Sequence, residues 1–144
     1  MNSYEMDSIL RSIPRVDQRL NGVIPQYQLP RRKMWGETVM IVNVSEHWVV
    51  IYLPAKQRDA IEYFDPLGNP PTPIVKKFIH YQRRKYVFNK KKIQGLYSTA
   101  CGPFCIMFSV LRILGVDFKF ILSLFTKNQY KNDIIAVNFV KGML

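Results

Sequence analysis

The sequence predicts one α+β domain spanning residues 1–144, a small, mostly antiparallel sheet packed against a buried central helix that begins on a cysteine. Three observations predict it. With 144 residues, 48% of them hydrophobic and 13% aromatic, the chain has the length of one domain and can bury a real core. Residues 38–44, 48–53 and 60–64 are rich in β-branched and aromatic side chains and are joined by short polar connections, the pattern of an antiparallel meander. Residues 101–114 have helical length and are apolar almost all round, from Phe104 and Ile106 to Leu111 and Ile113, so this helix belongs inside the molecule.

The other elements follow in chain order. Ser3 to Met6 open a helix that runs to about residue 12 and is ended by Pro14. Residues 21–30, punctuated by Pro25 and Pro30, read as an ordered loop wrapping the domain. After Asp65 the chain turns through Pro66, Leu67 and Gly68, then forms a helix over 73–84 and a short strand over 85–89. Gly115 fits the position just past the central helix, and helices over 118–126 and 133–141 pack around it. No internal repeat or low-complexity tract is present.

Composition excludes several classes. Disorder is excluded by the apolar content, and a disulfide scaffold by a count of two cysteines, which points to a reducing intracellular compartment. Glu5 and Asp7 stand where a secretion signal would need cations and apolar residues, so a secreted protein is not expected. The longest uncharged apolar run, 100–111, is too short to cross a bilayer, so no membrane partner is expected. The net charge of +11 favours a polyanionic partner. No acidic residue lies between Asp65 and Asp117, whereas Lys76, Lys77, Arg83, Arg84, Lys85, Lys90, Lys91, Lys92 and Arg112 do. Arg31, Arg32 and Lys33 add a second cluster. So long a stretch without interspersed acids favours polyanion binding over an ordinary solvated face. With no base-reading motif, the expected binding is to DNA backbone, without sequence preference and steeply dependent on salt.

One constellation carries chemistry. A thiol reacts as its thiolate, which a helix N-terminus and a nearby imidazole both favour. Cys101 falls in the first turn of the buried helix, where Pro103 is tolerated because first-turn N–H groups have no intrahelical partner. Gly102 would let a substrate backbone approach, and the Cys101 N–H would serve as an oxyanion donor. His47 stands at the mouth of a strand as a base, and Asp65 ends the neighbouring strand, able to orient the imidazole. Gln94 offers a second oxyanion donor. A zinc site built from Cys101, Cys105, His47 and His80 has the right inventory but not the spacing, and no metal is expected. Cys105, one turn beyond Cys101, reads as core packing.

The words around these residues sharpen the reading. His47-Trp48-Val49-Val50, then Tyr63-Phe64-Asp65-Pro66-Leu67-Gly68, then Gln94 through Cys101-Gly102-Pro103-Phe104 to Phe108 resemble the adenovirus protease family of cysteine proteases, with its members in Maverick/Polinton elements and other DNA viruses. The resemblance implies a papain-like fold in the adenovirus/SUMO protease clan. It implies Cys101 as nucleophile, His47 as general base, Asp65 as orienting acid and Gln94 as oxyanion donor. It also gives Trp48 a part in a narrow substrate groove. The implied activity is cleavage of viral structural precursors after glycine, in Gly-Gly or Gly-X-Gly contexts, during virion maturation. Virion and host nucleus are the implied location, DNA the implied activator, and a monomer the expected state; the chemistry itself requires no cofactor.

Two departures qualify what is carried over. Asp65 stands where adenovirus enzymes commonly have glutamate. With only Cys101 and Cys105, an activating peptide has no evident cysteine for a disulfide tether. In SUMO-specific proteases the acid is usually followed by serine-leucine and the nucleophile preceded by aspartate; Pro66-Leu67-Gly68 and Ala100 favour the viral branch here. The rival readings are a protease that removes a ubiquitin-like modifier such as SUMO, and a catalytically dead basic module that binds nucleic acid.

Overall fold

A computed structural model of the chain describes residues 1–95 and 98–144. Its elements are helices α1 (Ser3–Arg11) and α2 (Pro14–Asp17), strands β1 (Leu20–Pro25), β2 (Thr38–Val44), β3 (His47–Leu53) and β4 (Ile61–Phe64), helix α3 (Pro73–Tyr81), strand β5 (Tyr86–Phe88), and helices α4 (Cys101–Ile113), α5 (Phe118–Ser123) and α6 (Gln129–Lys141). The five strands form one sheet in sequence order. Strands β2, β3 and β4 make the expected antiparallel meander, and β1 and β5 extend it in parallel at the two edges.

The loop expected over 21–30 is therefore corrected: its first half is edge strand β1. Local pattern hid it because its partner, β2, lies beyond a long connection. Pro25 is tolerated since it ends an edge strand. Pro14, expected only as a helix stop, also occupies the first position of α2.

Both faces of the sheet are covered, which is why β2, β3 and β4 read as nearly unbroken apolar runs. Val39, Ile41, Val50, Tyr52 and Phe64 face a core shared with α1, α4 and α6. Met40, Val42, Ile51, Ile61 and Tyr63 face a second core closed by Val75, Phe78 and Ile79 of α3. Helices α4 and α3 thus lie on opposite faces.

Central helix α4 is buried as expected, and three contacts fix its position. Phe108 stacks on Phe64 of β4 with ring centroids 4.5 Å apart. The Cys105 thiol donates to the Trp48 carbonyl of β3 at 3.3 Å. Near its far end, Arg112 makes a two-pronged pair with Glu62 of β4 at 2.8 and 3.0 Å and lies 4.5 Å over the Tyr52 ring. Gly115, at φ +98°, ends the helix as the sequence suggests. The Gly115 N–H bonds the Arg112 carbonyl and the Val116 N–H bonds that of Leu111, the Schellman arrangement.

Candidate active site

The site assembles where the start of α4 meets one end of the sheet. Cys101 is the first residue of α4 and is half-buried, unlike the buried residues 102–110 that follow it. Helix geometry leaves the N–H groups of Cys101 and Gly102 without intrahelical acceptors, while Pro103 has none to satisfy. One turn on, the Cys105 bond to Trp48 ties this end of the helix beside the residue that follows His47. Cys105 itself is fully buried, and burial pushes its thiol well above the ordinary range, so it stays protonated. Leu96 and Tyr97, within the motif leading to Cys101, lie outside the described residues.

His47 opens β3 after a two-residue turn in which Ser45 and Glu46 both have positive φ, the hairpin geometry that matches strand twist. Its Nε2 lies 3.2 Å from Asp65 Oδ2. This hydrogen bond is the largest influence on the imidazole and raises its pKa above the usual 6.5, outweighing a burial effect of opposite sign. Protonated His47 therefore favours the fold, fully below about pH 6.5, and the contribution is lost as pH rises through the folded value. In the Cys101→Ala chain, NMR titration should show His47 above 6.5, and Asp65→Asn should lower it. Superimposable titrations would mean that the carboxylate does not govern the ring.

Asp65 is almost wholly buried and held from several sides. Its Oδ1 accepts the Leu67 N–H at 2.8 Å. Asn89, which no sequence motif marks, clamps its main chain: Oδ1 accepts the Asp65 N–H at 2.9 Å and Nδ2 donates to the Asp65 carbonyl at 2.6 Å. The side chain thus continues the pairing of β4 with β5 where the strand itself has ended. No local pattern distinguishes such an asparagine from any strand-end residue.

The Asp65-Pro66-Leu67-Gly68 turn also places Gln94, because the Pro66 carbonyl accepts the N–H groups of both Ile93 and Gln94 at 2.9 Å. Gly68 has φ +74°, and a Cβ there would sit 3.0 Å from the Lys90 carbonyl oxygen and the Lys92 nitrogen. Only glycine allows the turn and the lysine segment to touch. Gln94 is buried, and its Nε2 donates to the Ser98 carbonyl at 3.0 Å. An amide nitrogen carries two hydrogens, so one donor remains.

The sequence assigns two further residues to the groove. Trp48 is half-buried against the α4 core, compatible with both its packing and its groove role. Gly102 is buried, and a Cβ there would lie 3.2 Å from Met1 Cβ and 3.4 Å from Met6 Sδ. Its missing side chain leaves room for Met1 and for Met6 of α1.

The basic residues also divide. Arg31, Arg32, Lys76, Lys77, Arg83, Lys85, Lys90, Lys91 and Lys92 are exposed. Arg84 is corrected to a structural role, since it donates to the carbonyls of Pro54, Lys56 and Asp59 at 2.8–3.1 Å and so knits the β3–β4 connection. Lys33 is likewise engaged, donating to the Gln82 carbonyl at 2.8 Å and lying 5.4 Å from the Trp35 ring. Arg112 is committed to Glu62.

A half-exposed cysteine heading a buried helix, with a paired histidine and aspartate at the neighbouring sheet end, is the layout of a cysteine protease domain. Residues 38–136 match the family model described as the Ulp1 protease family, C-terminal catalytic domain, and the chain belongs to that family of cysteine proteases. The matched stretch contains His47, Asp65, Gln94 and Cys101.

Solved structures share the fold. The ASFV pS273R protease aligns with a TM-score of 0.72 and 14% identity over 94% of this chain, which spans 65% of that protease. The Ulp1 protease domain solved with Smt3, the yeast ortholog of SUMO, aligns at 0.57 and 12% over 97% of this chain and 74% of its own. The central domain of the Legionella pneumophila protein Lpg1148 aligns at 0.55 and 12%, covering 100% of this chain and 98% of that one. No curated protein sequence matches. Among the described residues no helix is long and apolar enough to cross a membrane.

Proposed function

We propose that the chain is a cysteine endopeptidase in which Cys101 is the nucleophile, His47 the general base, Asp65 the orienting acid, and Gln94 with the Cys101 N–H the oxyanion donors. The observation that carries this is the 3.2 Å His47–Asp65 contact at the sheet end beside which the Cys105–Trp48 bond holds the start of α4. His47 takes the Cys101 proton, and the sulfur attacks the scissile carbonyl, forming a carbon–sulfur bond while the oxyanion is held by the two donors. The imidazolium then protonates the departing amine as the carbon–nitrogen bond breaks. Water hydrolyses the thioester, releasing the acid and restoring the thiol.

The proposed substrates are precursor proteins cut after glycine in Gly-Gly or Gly-X-Gly contexts, in maturation of a DNA virus or virus-like element, in the virion and host nucleus. The Asp65-Pro66-Leu67-Gly68 and Ala100-Cys101 words support the adenovirus-protease side of the clan, and the fold similarity to the ASFV protease is in keeping. The exposed cations support DNA as a sequence-indifferent activator of a monomeric enzyme. A second reading, removal of a ubiquitin-like modifier, is favoured by the matching family and by the Ulp1 complex with Smt3.

One assay separates them: hydrolysis of a Leu-X-Gly-Gly peptide reporter and of a folded Smt3 fusion, each with and without duplex DNA at two salt concentrations. The endopeptidase reading expects the peptide to be cut at least as fast as the fusion, with a DNA stimulation that salt abolishes. Faster cleavage of the folded fusion, indifferent to DNA, would transfer the assignment to the modifier protease.

A further inference from the structure

Helix α3 lies across the sheet from α4, and its outer side faces a cavity that the proposed chemistry does not use. The cavity is about 440 Å³ and is lined chiefly by Tyr27, Leu29, Ile74, Phe78 and Tyr81, with the cations Arg31 and Lys77 at its edge. Leu29 and Phe78 form a buried floor, while Tyr27, Ile74 and Tyr81 are 75, 46 and 54% exposed. Three large apolar side chains left together in water around a concave floor are what a docking surface shows and a solvated helix face does not.

The groove is held open by hydrogen bonds at both ends. Thr72, which caps α3, donates from Oγ1 to Gln26 Oε1 at 2.7 Å. At the other end, fully buried Gln82 accepts the Met34 N–H at 2.7 Å and donates to the Arg32 carbonyl at 2.9 Å. The segment 26–34 is thus pinned to α3 at two points, with a gap between them that its own side chains do not fill. A preformed gap of this kind spares a ligand the ordering cost of making one.

Charge narrows the occupant. Arg31 and Lys77 make no ion pair among the described residues, and no acid lines the cavity. Tyr81 is shared with a second, open depression lined by Lys33, His80, Arg83, Arg84 and Lys85, again without an acid. The oxygen of the socket's one amide, Gln26, is taken up by Thr72, and the buried floor of Leu29 and Phe78 suits an aliphatic or aromatic side chain.

We infer that this groove docks an extended acidic segment of a partner protein, one large apolar side chain of which sits over Leu29 and Phe78 while its carboxylates meet Arg31, Lys77 and, beyond Tyr81, the exposed Arg83 and Lys85. Nine-residue α3 is about 13 Å long, the span of about four extended residues. The inference is independent of the catalytic assignment, though it draws on Arg31 and Lys77, which are also among the cations that support DNA binding.

The test uses the Cys101→Ala chain, so that no probe is consumed, and fluorescence anisotropy with a labelled peptide Glu-Asp-Glu-Leu-Phe-Glu-Asp-Glu. Saturable binding is expected, weakened about tenfold or more by Ile74→Glu and by Lys77→Glu and little changed by Lys119→Glu, an exposed charge-matched control on α5. A peptide with Ser-Ser in place of Leu-Phe should bind at least about tenfold more weakly. Circular dichroism melts confirm that each variant is folded. The inference is overturned by absence of binding, by equal binding of the Ser-Ser peptide, by indifference to Ile74→Glu, or by a twelve-residue oligothymidylate that binds the groove more tightly than the peptide.

Discussion

Cys101→Ala is expected to lower turnover of a Gly-Gly reporter by on the order of 10⁵–10⁶, leaving only what substrate binding and oxyanion donors supply without a nucleophile. His47→Ala should cost about as much, and the double variant little more, because thiol and imidazole act as one unit. The effect belongs to chemistry and not to folding. Cys101 is half-exposed at the first position of α4, while the contacts that place the helix come from Cys105, Phe108 and Arg112 further along it. Thermal melting of Cys101→Ala should therefore lie close to that of the wild type. Turnover within tenfold of wild type in the Cys101→Ala chain would refute the assignment of the nucleophile.

Gly68→Ala is expected to strike both stability and turnover, though residue 68 touches no substrate. At φ +74° an alanine incurs about 1–2 kcal/mol of left-handed strain. Its Cβ would also press on main-chain atoms of Lys90 and Lys92 at 3.0 Å, where no flexible side chain can yield. To relieve that contact the turn and the lysine segment must separate. The turn holds Gln94 through the Pro66 carbonyl, and the same segment leads back to Asn89, which clamps Asp65. A displacement of about 1 Å at such a site costs on the order of 10² in rate. Gly36 provides the control, since it has φ +80° and a Cβ there would meet nothing within 4 Å. Gly36→Ala should lose a similar conformational term and no turnover per folded molecule. Equal turnover in the two variants, measured on folded protein, would show that the Asp65–Gly68 turn does not position the site.

The sheet meander and the central helix were legible because each is set by local pattern: β-branched and aromatic runs with short connections for the strands, an all-round apolar stretch for the helix. The edge strand β1 was not, since a parallel pairing across a long connection leaves no signature in nearby residues. Cys101, His47, Asp65 and Gln94 could be singled out because chemistry demands those residue types and their neighbouring words resemble a known family. What supports them was hidden for a different reason. Asn89, Gly68 and the Cys105–Trp48 bond act through contacts between segments far apart in sequence, and Gly102 proved to make room for methionines from the N-terminus and α1. Charge counting found the basic character of the chain but could not tell free cations from committed ones, so Arg84, Lys33 and Arg112 were grouped with lysines that stand in solvent.

The central claim is that His47 activates Cys101, and the rate of Cys101 alkylation by iodoacetamide near neutral pH tests it most directly. The account predicts one label per chain, on Cys101, added at least about tenfold faster in the wild type than in His47→Ala. Equal rates in the two proteins, or a Cys101 that resists the reagent altogether, would contradict it.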